Sequence, residues 1–425
     1  MYPDIAGRPR GKVVPVGRLP DLLAGSERYT PRGLDGLGEM DPVEDECITL
    51  PDPDRVWVLP WDPRIAVMPA DLSQEGRPYE LCCRTVLKQQ MRRAVDAGYR
   101  FLLGVETELY VFRPRPPGST EPLVPLVASG SRHPTAAYLL DAAFDAVDFL
   151  GPLVTAMDDV GFGVFSFDQE GGDGQYELDF HHDDALAIAD RLLLFRLMAK
   201  HYAAAAGGFA TFMPKPSAAA WGSGAHFNMS LESPDGQNLF RDRDGRWTAL
   251  ARSFTAGILS HGRSAAAITN PTVNSYKRLV GSLPGGGVSW APIWASTGDN
   301  NRSCMVRFPK NRPAVEDRLV DSAANTYLAA AFLLAAGLEG IENHLDLDDL
   351  VVADGYRVPA AEAARDRRVP RNLLEAVDTF RADPLASKVF TDGFVDEYCA
   401  MKEREWNEYH EVVSDWELRR YLTEL

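Results

Sequence analysis

The sequence predicts an α+β protein of two domains, and three observations carry this prediction. Residues 10–78 contain short strand-like pieces separated by Pro and Asp. Residues 78–98 form one amphipathic helix, with apolar residues recurring at helical spacing. From residue 100 onward, strands that carry polar residues alternate with long helices. We therefore expect an N-terminal domain over residues 1–97 and a larger domain over residues 98–425.

The individual elements follow from hydrophobic periodicity. The predicted N-terminal strands cover residues 11–15, 47–50, 56–59 and 65–68. In the larger domain, an apolar run predicts a buried strand over residues 101–112. The longest predicted helices cover residues 184–207, 322–342 and 394–425.

Composition and charge limit the classes of function. The 425 residues are 45% hydrophobic and 25% charged, as in ordinary globular proteins. No apolar run has the length of a membrane-spanning helix, and the start Met-Tyr-Pro-Asp does not resemble a signal peptide. Five cysteines without metal-binding spacing fit a reducing cytoplasm. We expect a cytoplasmic protein without membrane contact.

The net charge of −17 argues against nucleic acid as a partner, because phosphates demand a basic surface. It does not exclude a nucleotide or an acidic small molecule. Sites for such ligands carry local arginines and metals whatever the global charge.

Two glutamates lie on the predicted strand 101–112. Side chains two residues apart on a strand point the same way, so Glu106 and Glu108 share one face. Two unpaired carboxylates in a core strand would cost several kcal/mol, so a cation, most naturally a metal, is expected in front of them. Taken alone, the pair fits a solvated sheet surface equally well.

Two glycine-rich segments extend this polar set. The acidic loop 168–179 enters a strand and carries Glu170 and Glu177 where both could face one cation, although such loops are more often solvated turns. The segment Gly-Ser-Gly-Ala-His feeds a strand on which His226, Asn228 and Ser230 alternate on one face.

Arginines gather in the next two segments. They are Arg278, Arg302, Arg307 and Arg318, with Glu316 among them. Arginines at this density beside apolar neighbours suggest recognition of phosphate and carboxylate, since the planar guanidinium forms bidentate bonds.

Four motifs resemble the glutamine synthetase superfamily. They are Met-Pro-Lys-Pro, Gly-Ser-Gly-x-His, Asn-Ser-Tyr-Lys-Arg and Asn-Arg-x5-Phe-Pro, in this order and spacing. Within that superfamily the chain is most similar to the glutamate–methylamine ligase branch. The shared features are the short loop from Glu170 to Glu177, residues 287–292 and the ending at residues 409–417.

The resemblance implies a fold and an assembly. Residues 1–97 would form a β-grasp domain, which we expect to be truncated at its start. Residues 98–425 would form a catalytic domain with a curved antiparallel sheet. Subunits would form hexameric rings, usually paired as dodecamers, with each site completed by the neighbour's N-terminal domain.

The resemblance also implies site residues. One divalent ion would bind Glu108, Glu170 and Glu177, and another Glu106, His226 and Glu316. Glutamate would contact Gly222, Arg278 and Arg318. ATP would contact Asn228, Ser230, Arg302 and Arg307. The amine pocket would contain Tyr138, Trp290 and Asp35 of a neighbouring subunit, and the catalytic residues would be Arg302, Glu170 and Asp35.

The implied reaction is ATP-dependent ligation of the γ-carboxylate of L-glutamate to an amine through a γ-glutamyl phosphate. Two or three Mg²⁺ or Mn²⁺ ions suit these ligands better than zinc does. The first alternative is a glutamine synthetase that uses ammonium. The second is a non-catalytic structural or regulatory homologue, which retention of all six metal ligands disfavours.

Several positions depart from the glutamine synthetase pattern, and three of them concern the nucleotide and amine sites. Asn228 replaces a second histidine near the nucleotide. Ala314 replaces an arginine, with Arg312 nearby as a candidate substitute, and Trp290 replaces a loop glutamate over the amine pocket.

Overall fold

The computed structural model describes residues 1–35, 46–116, 118–119, 121–127, 137–283, 286–347, 354, 356 and 367–424. Of Asp35 it describes the backbone alone. Within these residues the fold is mixed α+β, as predicted, with one large sheet, smaller N-terminal sheets and surrounding helices.

The strands are β1 (Tyr2–Pro3), β2 (Pro9–Arg10), β3 (Arg28–Tyr29), β4 (Cys47–Pro51), β5 (Trp57–Leu59), β6 (Asp62–Val67), β7 (Ala70–Gln74), β8 (Arg77–Pro78), β9 (Arg100–Phe112), β10 (Val164–Gln169), β11 (Gln175–Phe180), β12 (Asp183–Asp184), β13 (Phe209–Thr211), β14 (Ala225–Glu232), β15 (Thr297–Asp299), β16 (Val306–Phe308) and β17 (Val315–Asp317). The strand predicted over residues 11–15 is absent. Val13 is 89% exposed there, so its apolar side chain finds no sheet to cover.

The α-helices are α1 (Leu19–Leu23), α2 (Pro31–Asp35), α3 (Cys83–Asp96), α4 (Leu140–Asp145), α5 (Val147–Asp159), α6 (Ala185–Ala205), α7 (Ala249–Ser260), α8 (Gly262–Thr269), α9 (Ser275–Arg278), α10 (Thr326–Glu342), α11 (Leu373–Ala382), α12 (Pro384–His410) and α13 (Asp415–Tyr421). None of the helices in the described residues is long and apolar enough to cross a membrane.

The large sheet carries the candidate site. Its strands run in the order β10–β11–β9–β14–β17–β16–β15, and β12 and β13 also pair with β9. Among the described pairs only β15 and β16 are parallel. β9 is the longest strand among them, with 13 residues, and this length lets it pair with β11, β12, β13 and β14. The residues of β9 therefore occupy the centre of the sheet.

Helices α6 and α10 form the core behind the sheet. Both are rich in Ala and Leu, and their buried residues occur around the whole helix and not along one stripe. A helix that is apolar all round belongs in the interior of a large protein. Helix α3 contributes Val86, Leu87 and Ala94 to this same core. The predicted division at residue 97 stays a prediction, and α3 packs with the elements that follow it.

A buried ion-pair network joins the N-terminal strands to this core. The wholly buried Arg84 of α3 donates to Asp190 of α6 at 3.0 Å, to Asp71 of β7 at 2.9 Å and to Asp52 at 2.6 Å. The hydroxyl of Tyr327 donates to Asp190 at 2.7 Å. Buried charges are stable when paired and hydrogen-bonded in this way.

Candidate active site

Strand pairing brings acidic and imidazole side chains together from three separate segments. Glu177 of β11 lies opposite Glu108 of β9, and His226 of β14 lies opposite Glu106. The register therefore forms a polar cluster across three neighbouring strands, on the face that Glu106 and Glu108 share.

These side chains open into a cavity of about 300 Å³. The predicted site residues that line it are Glu106, Glu108, Glu170, Glu177, His226, Gly222, Arg278, Arg302, Arg318, Tyr138 and Trp290. Trp221, Ser289 and Ala291 line it as well. Most of the residues selected from the sequence thus surround one space.

Three members of the cluster are spaced to hold a metal ion. Glu106, Glu177 and His226 each offer one ligand atom, and these atoms lie within 4.8 Å of one another. His226 Nδ1 is 3.3 Å from Oε2 of Glu106, and Nε2 is 3.9 Å from Oε1 of Glu108. The resemblance divides these residues between two ligand sets, whereas here the two sets form one continuous cluster.

Burial and mutual repulsion raise the pKa values of three carboxyls. Burial and the charge of Glu170 raise the pKa of Glu108 to about 8. Burial and Asp168 raise the pKa of Glu170 to about 7. Burial and the charges of Glu108 and Glu106 raise the pKa of Glu177 well above its ordinary value. Negative charge is thus crowded here without enough cationic side chains to balance it.

Glu106 and His226, which contact each other, both have lowered pKa values. Burial alone would raise the pKa of Glu106, but the hydrogen bond with His226 and the charge of Arg312 outweigh it and lower the pKa to about 2. Burial and the charge of Arg318 lower the pKa of His226 to about 4. His226 is therefore a neutral imidazole near pH 7, the form that ligates metals.

Glu316 lies behind the cavity wall, paired with three arginines. Its Oε1 accepts from Arg318, and its Oε2 accepts from Arg307 at 2.8 Å and from Arg312 at 3.0 Å. Burial would raise the pKa of Glu316, but Arg318 and Arg307 hold it below its ordinary value. Oε1 is 3.9 Å from His226 Nδ1, so Glu316 adjoins the acidic cluster without lining the cavity.

Gly222 and three arginines form the cationic wall. A β-carbon at position 222 would lie 2.6 Å from Cγ of Arg278, so this close approach requires glycine. Arg278 donates to the carbonyl oxygens of Leu319 and Arg318 at 2.9 and 3.0 Å. The Arg302 guanidinium has no hydrogen-bond or ion-pair partner within the described part of the chain. Arg302 is therefore the arginine best placed to meet an anion.

A second cavity of about 220 Å³ adjoins the first, and Glu106 lines both. Asn228 and Ser230 line this second cavity together with Arg312 and Ala314. Asn228 Nδ2 donates to Oε1 of Glu106 at 3.1 Å, and Arg312 donates to the same oxygen at 2.8 Å. A guanidinium thus reaches this wall from position 312, although position 314 is alanine.

Two aromatic residues border the acidic cavity. Trp290 is 41% exposed and Tyr138 is 61% exposed. Both have a positive backbone φ, 58° for Trp290 and 65° for Tyr138. Residues other than glycine seldom adopt such angles, and those that do are often at functional sites. The backbone N–H of Tyr138 donates to the carbonyl of Gln169 at 2.8 Å, and this bond holds the ring beside Glu170.

Besides Glu316, two predicted residues lie outside both cavities or outside the described residues. Arg307 lines neither cavity and donates to Oδ1 of Asn300 at 2.6 Å and to Glu316. The side chain of Asp35 is outside the described residues. Its approach to a neighbour's amine pocket stays a prediction.

The sequence reasoning missed residues that orient the acids. Gln175 Nε2 donates to Oε2 of Glu108 at 2.8 Å, and its spacing of two from Glu177 was a readable signal. Asp168 lies opposite Glu177 in the register, and burial with the charge of Glu106 raises the pKa of Asp168 to about 6. Pairing across strands set this position, which no local pattern encodes.

Comparison with known proteins identifies the family. The family model described as "Glutamine synthetase, catalytic domain" matches residues 80–421, about four-fifths of the chain. The chain belongs to the glutamine synthetase family. Members of this family of carbon–nitrogen ligases use ATP and divalent metal ions.

Several proteins of the glutamine synthetase family align with nearly the whole chain. A glutamate–methylamine ligase of Methyloversatilis universalis is 33% identical, with 99% of this chain and 95% of that protein covered. A glutamine synthetase of Rhizobium leguminosarum is also 33% identical, with 98% and 94% covered. A solved structure described as a GmaS/ADP complex has a TM-score of 0.89 and 32% identity, with 99% and 95% covered.

Proposed function

We propose that this chain is an ATP-dependent ligase that joins the γ-carboxylate of L-glutamate to a primary alkylamine through a γ-glutamyl phosphate. The observation that carries the choice of amine is Trp290, an exposed aromatic ring on the wall of the cavity that holds the acidic cluster. Identity to the Methyloversatilis ligase supports the same assignment, but the Rhizobium glutamine synthetase is equally similar at 33%. Ammonium is therefore the second candidate.

The donor set of the acidic cluster fits hard divalent cations. Carboxylate oxygens with one neutral imidazole suit Mg²⁺ or Mn²⁺, and the unbalanced buried charge favours their binding. The residues that would hold two or three ions are Glu106, Glu108, Glu170, Glu177, His226 and Glu316. When bound, such ions supply positive charge that offsets the phosphate oxygens and the reacting carboxylate.

The cationic wall suits glutamate and a transferring phosphoryl group. Arg278 and Arg318 are rigidly bonded through part of each guanidinium, and Gly222 leaves room beside them for a backbone-like substrate group. Arg302, whose guanidinium has no partner among the described residues, would take up charge on the phosphoryl group as it moves to the γ-carboxylate. In the second cavity, Asn228 and Ser230 would contact the nucleotide, and Arg307 would act from behind the wall through Glu316.

The amine pocket combines charge with an apolar surface. An alkylammonium ion must lose a proton before it attacks the acyl phosphate, and Glu170 is the carboxylate beside Tyr138 that would accept it. Trp290 offers an indole face that can cover a methyl group, for about 0.8 kcal/mol per methylene, and attract the cation. We further propose that Asp35 completes this pocket from a neighbouring subunit in a ring-shaped homo-oligomer.

The test is ATP turnover with L-glutamate against a panel of amines, with products identified by mass. We expect ADP, phosphate and a γ-glutamyl alkylamide, with kcat/KM for the best alkylamine at least about tenfold above that for ammonium. Reactions without divalent ion and without glutamate are the controls. Glutamine as the main product would favour a glutamine synthetase. No turnover with any amine would favour the non-catalytic homologue.

A further inference from the structure

A cavity of about 380 Å³ lies apart from both cavities of the candidate active site. Four cationic residues line it, Arg8, Arg196, Lys200 and Lys402, and no carboxylate does among the described residues. The chain has 61 acidic and 44 basic residues. The charged residues that line this cavity are therefore opposite in sign to the net charge of the chain.

Two of the four cations have no carboxylate partner among the described residues. Arg8 pairs with Asp4 at 2.7 Å, and Lys402 pairs with Glu405 at 3.1 Å. Arg196 and Lys200 form no ion pair with any carboxylate in the described ranges. The hydrogen bonds from Arg196 to the carbonyl oxygens of Ser322 and Ala324 both use one terminal nitrogen, Nη2.

The cations are also close enough to repel one another. Burial and the charges of Arg196 and Arg8 lower the pKa of Lys200. Burial lowers the pKa of Arg196 to about 10, although Asp321 and Asp4 oppose this change. With a pKa of about 10, Arg196 stays charged near neutral pH, so the cavity holds positive charge that an anion would balance.

Arg196 connects this cavity to the back of the active-site strands. It donates to the carbonyl oxygens of Ser322 and Ala324 at 2.8 and 2.9 Å. The hydroxyl of Ser322 bonds the carbonyl of Glu108 at 2.7 Å. Arg196 also lines a small void together with Thr107. Thr107 and Glu108 are consecutive on β9, so their side chains point to opposite faces of the sheet. Arg196 therefore lies on the face opposite to Glu108.

We propose that this cavity is a binding site for a small organic dianion, with Arg196 and Lys200 as its principal contacts. Two cations without a carboxylate partner in the described ranges match two negative charges, as in a dicarboxylate or a phosphate ester. The remaining lining includes apolar side chains such as Phe212, Ile268 and Leu328, which suit a short carbon skeleton. This site is distinct from the glutamate and ATP sites proposed above, because it lies on the other face of the sheet.

The test is calorimetric titration of the full-length protein with succinate and, separately, with glycerol phosphate. We expect saturable binding of at least one probe, weakened at least tenfold by Lys200→Gln and further by Lys200→Gln combined with Lys402→Gln. The probe that binds identifies which of the two chemistries the cavity accepts. Lys200 is exposed and makes no ion pair with the part of the chain that the structure describes, so its replacement should leave the protein folded, which thermal melting checks.

Two control variants separate this site from other binding. Lys388→Gln removes a positive charge at an exposed pair with Glu339 and should leave binding unchanged. Arg302→Gln disables the active-site cavity and should also leave the Lys200-dependent binding within twofold. The proposal is wrong if neither probe binds saturably, or if Lys200→Gln binds both probes as tightly as the wild type.

Discussion

Glu177 and Glu108 lie directly opposite each other on antiparallel strands, with only 3.3 Å separating His226 from the adjacent Glu106. Like charges at facing positions of a sheet destabilise it unless something neutralises them. Repulsion between these carboxylates therefore destabilises the middle of the large sheet. This cost makes the cluster a strong site for cations.

Replacing Glu177 with Gln should abolish divalent-dependent ATP turnover while the protein stays folded. The amide keeps the shape of the side chain but removes a hard anionic ligand and one source of repulsion. We expect the melting temperature in EDTA to be at least that of wild type, and the increase on adding Mg²⁺ to shrink. Glu342→Gln, at an exposed pair with Arg93, is the control. Turnover within a few-fold of wild type would remove Glu177 from the metal site.

Arg318→Lys should impair glutamate use, because an ammonium cannot reproduce the planar fork. The native guanidinium bonds Glu316 and the carbonyl of Arg302, so the change should also loosen that wall. We expect a loss of about 1.5–3 kcal/mol in glutamate kcat/KM. Steady-state kinetics at saturating ATP measures it, with Arg100→Lys at an exposed strand end as the control. An unchanged glutamate KM and kcat would move the substrate site elsewhere.

Trp290→Glu should shift the choice of amine towards ammonium. A carboxylate attracts a small hydrated cation more strongly than an indole does, and the apolar face for an alkyl group is lost. We expect the alkylamine-to-ammonium ratio of kcat/KM to fall about tenfold, or about 1.4 kcal/mol. Trp416→Glu, an exposed Trp on α13, controls for the added charge. A ratio that does not change would show that Trp290 does not select the amine.

His261 should make stability depend on pH. Its ring nitrogens are 2.8 Å from Asp383 and 2.8 Å from Glu339. Burial alone would lower the pKa of His261, but these carboxylates raise it above the ordinary value of about 6.5. The charged pairs thus stabilise the fold fully below about pH 6.5 and progressively less as pH rises through the folded pKa.

His261→Gln should therefore lower the free energy of unfolding by about 1.5 kcal/mol at pH 6, with a smaller difference at pH 9. Denaturant melts at the two pH values measure it. His410→Gln, at an exposed position of α12, is the control. A loss of unfolding free energy that is larger at pH 9 than at pH 6 would contradict the raised pKa of His261.

Arg84→Met should destabilise the protein by about 3–5 kcal/mol, because the buried Asp190 would lose its hydrogen-bonded cation and keep only Arg55, whose Nε is 3.6 Å away. Arg93 lies on α3, as Arg84 does, and forms an exposed ion pair with Glu342 of α10. Arg93→Met removes that pair and should cost at most about 1 kcal/mol. Denaturant melts of both variants give the comparison. Equal effects would mean that the buried network contributes no more than a surface pair.

The sequence predicted features that depend on local spacing. The alternation that placed Glu106 and Glu108 on one face holds in β9, and the predicted helix over residues 184–207 matches α6, Ala185–Ala205. Local sequence failed at residues 11–15, because a short apolar piece forms a strand only where a partner strand exists. Pairings such as Glu177 with Glu108 join segments far apart in the chain, so no local pattern could reveal them.

Glu106 lines both the acidic cavity and the second cavity, so one carboxylate separates the two spaces. At such short range, charge entering either space changes the potential in the other by several kcal/mol at protein dielectric values. Occupancy of the two spaces is then thermodynamically linked, and the linkage must be reciprocal. A ligand in the second cavity should therefore change the cation affinity of the first by the same factor as a cation changes the affinity for that ligand.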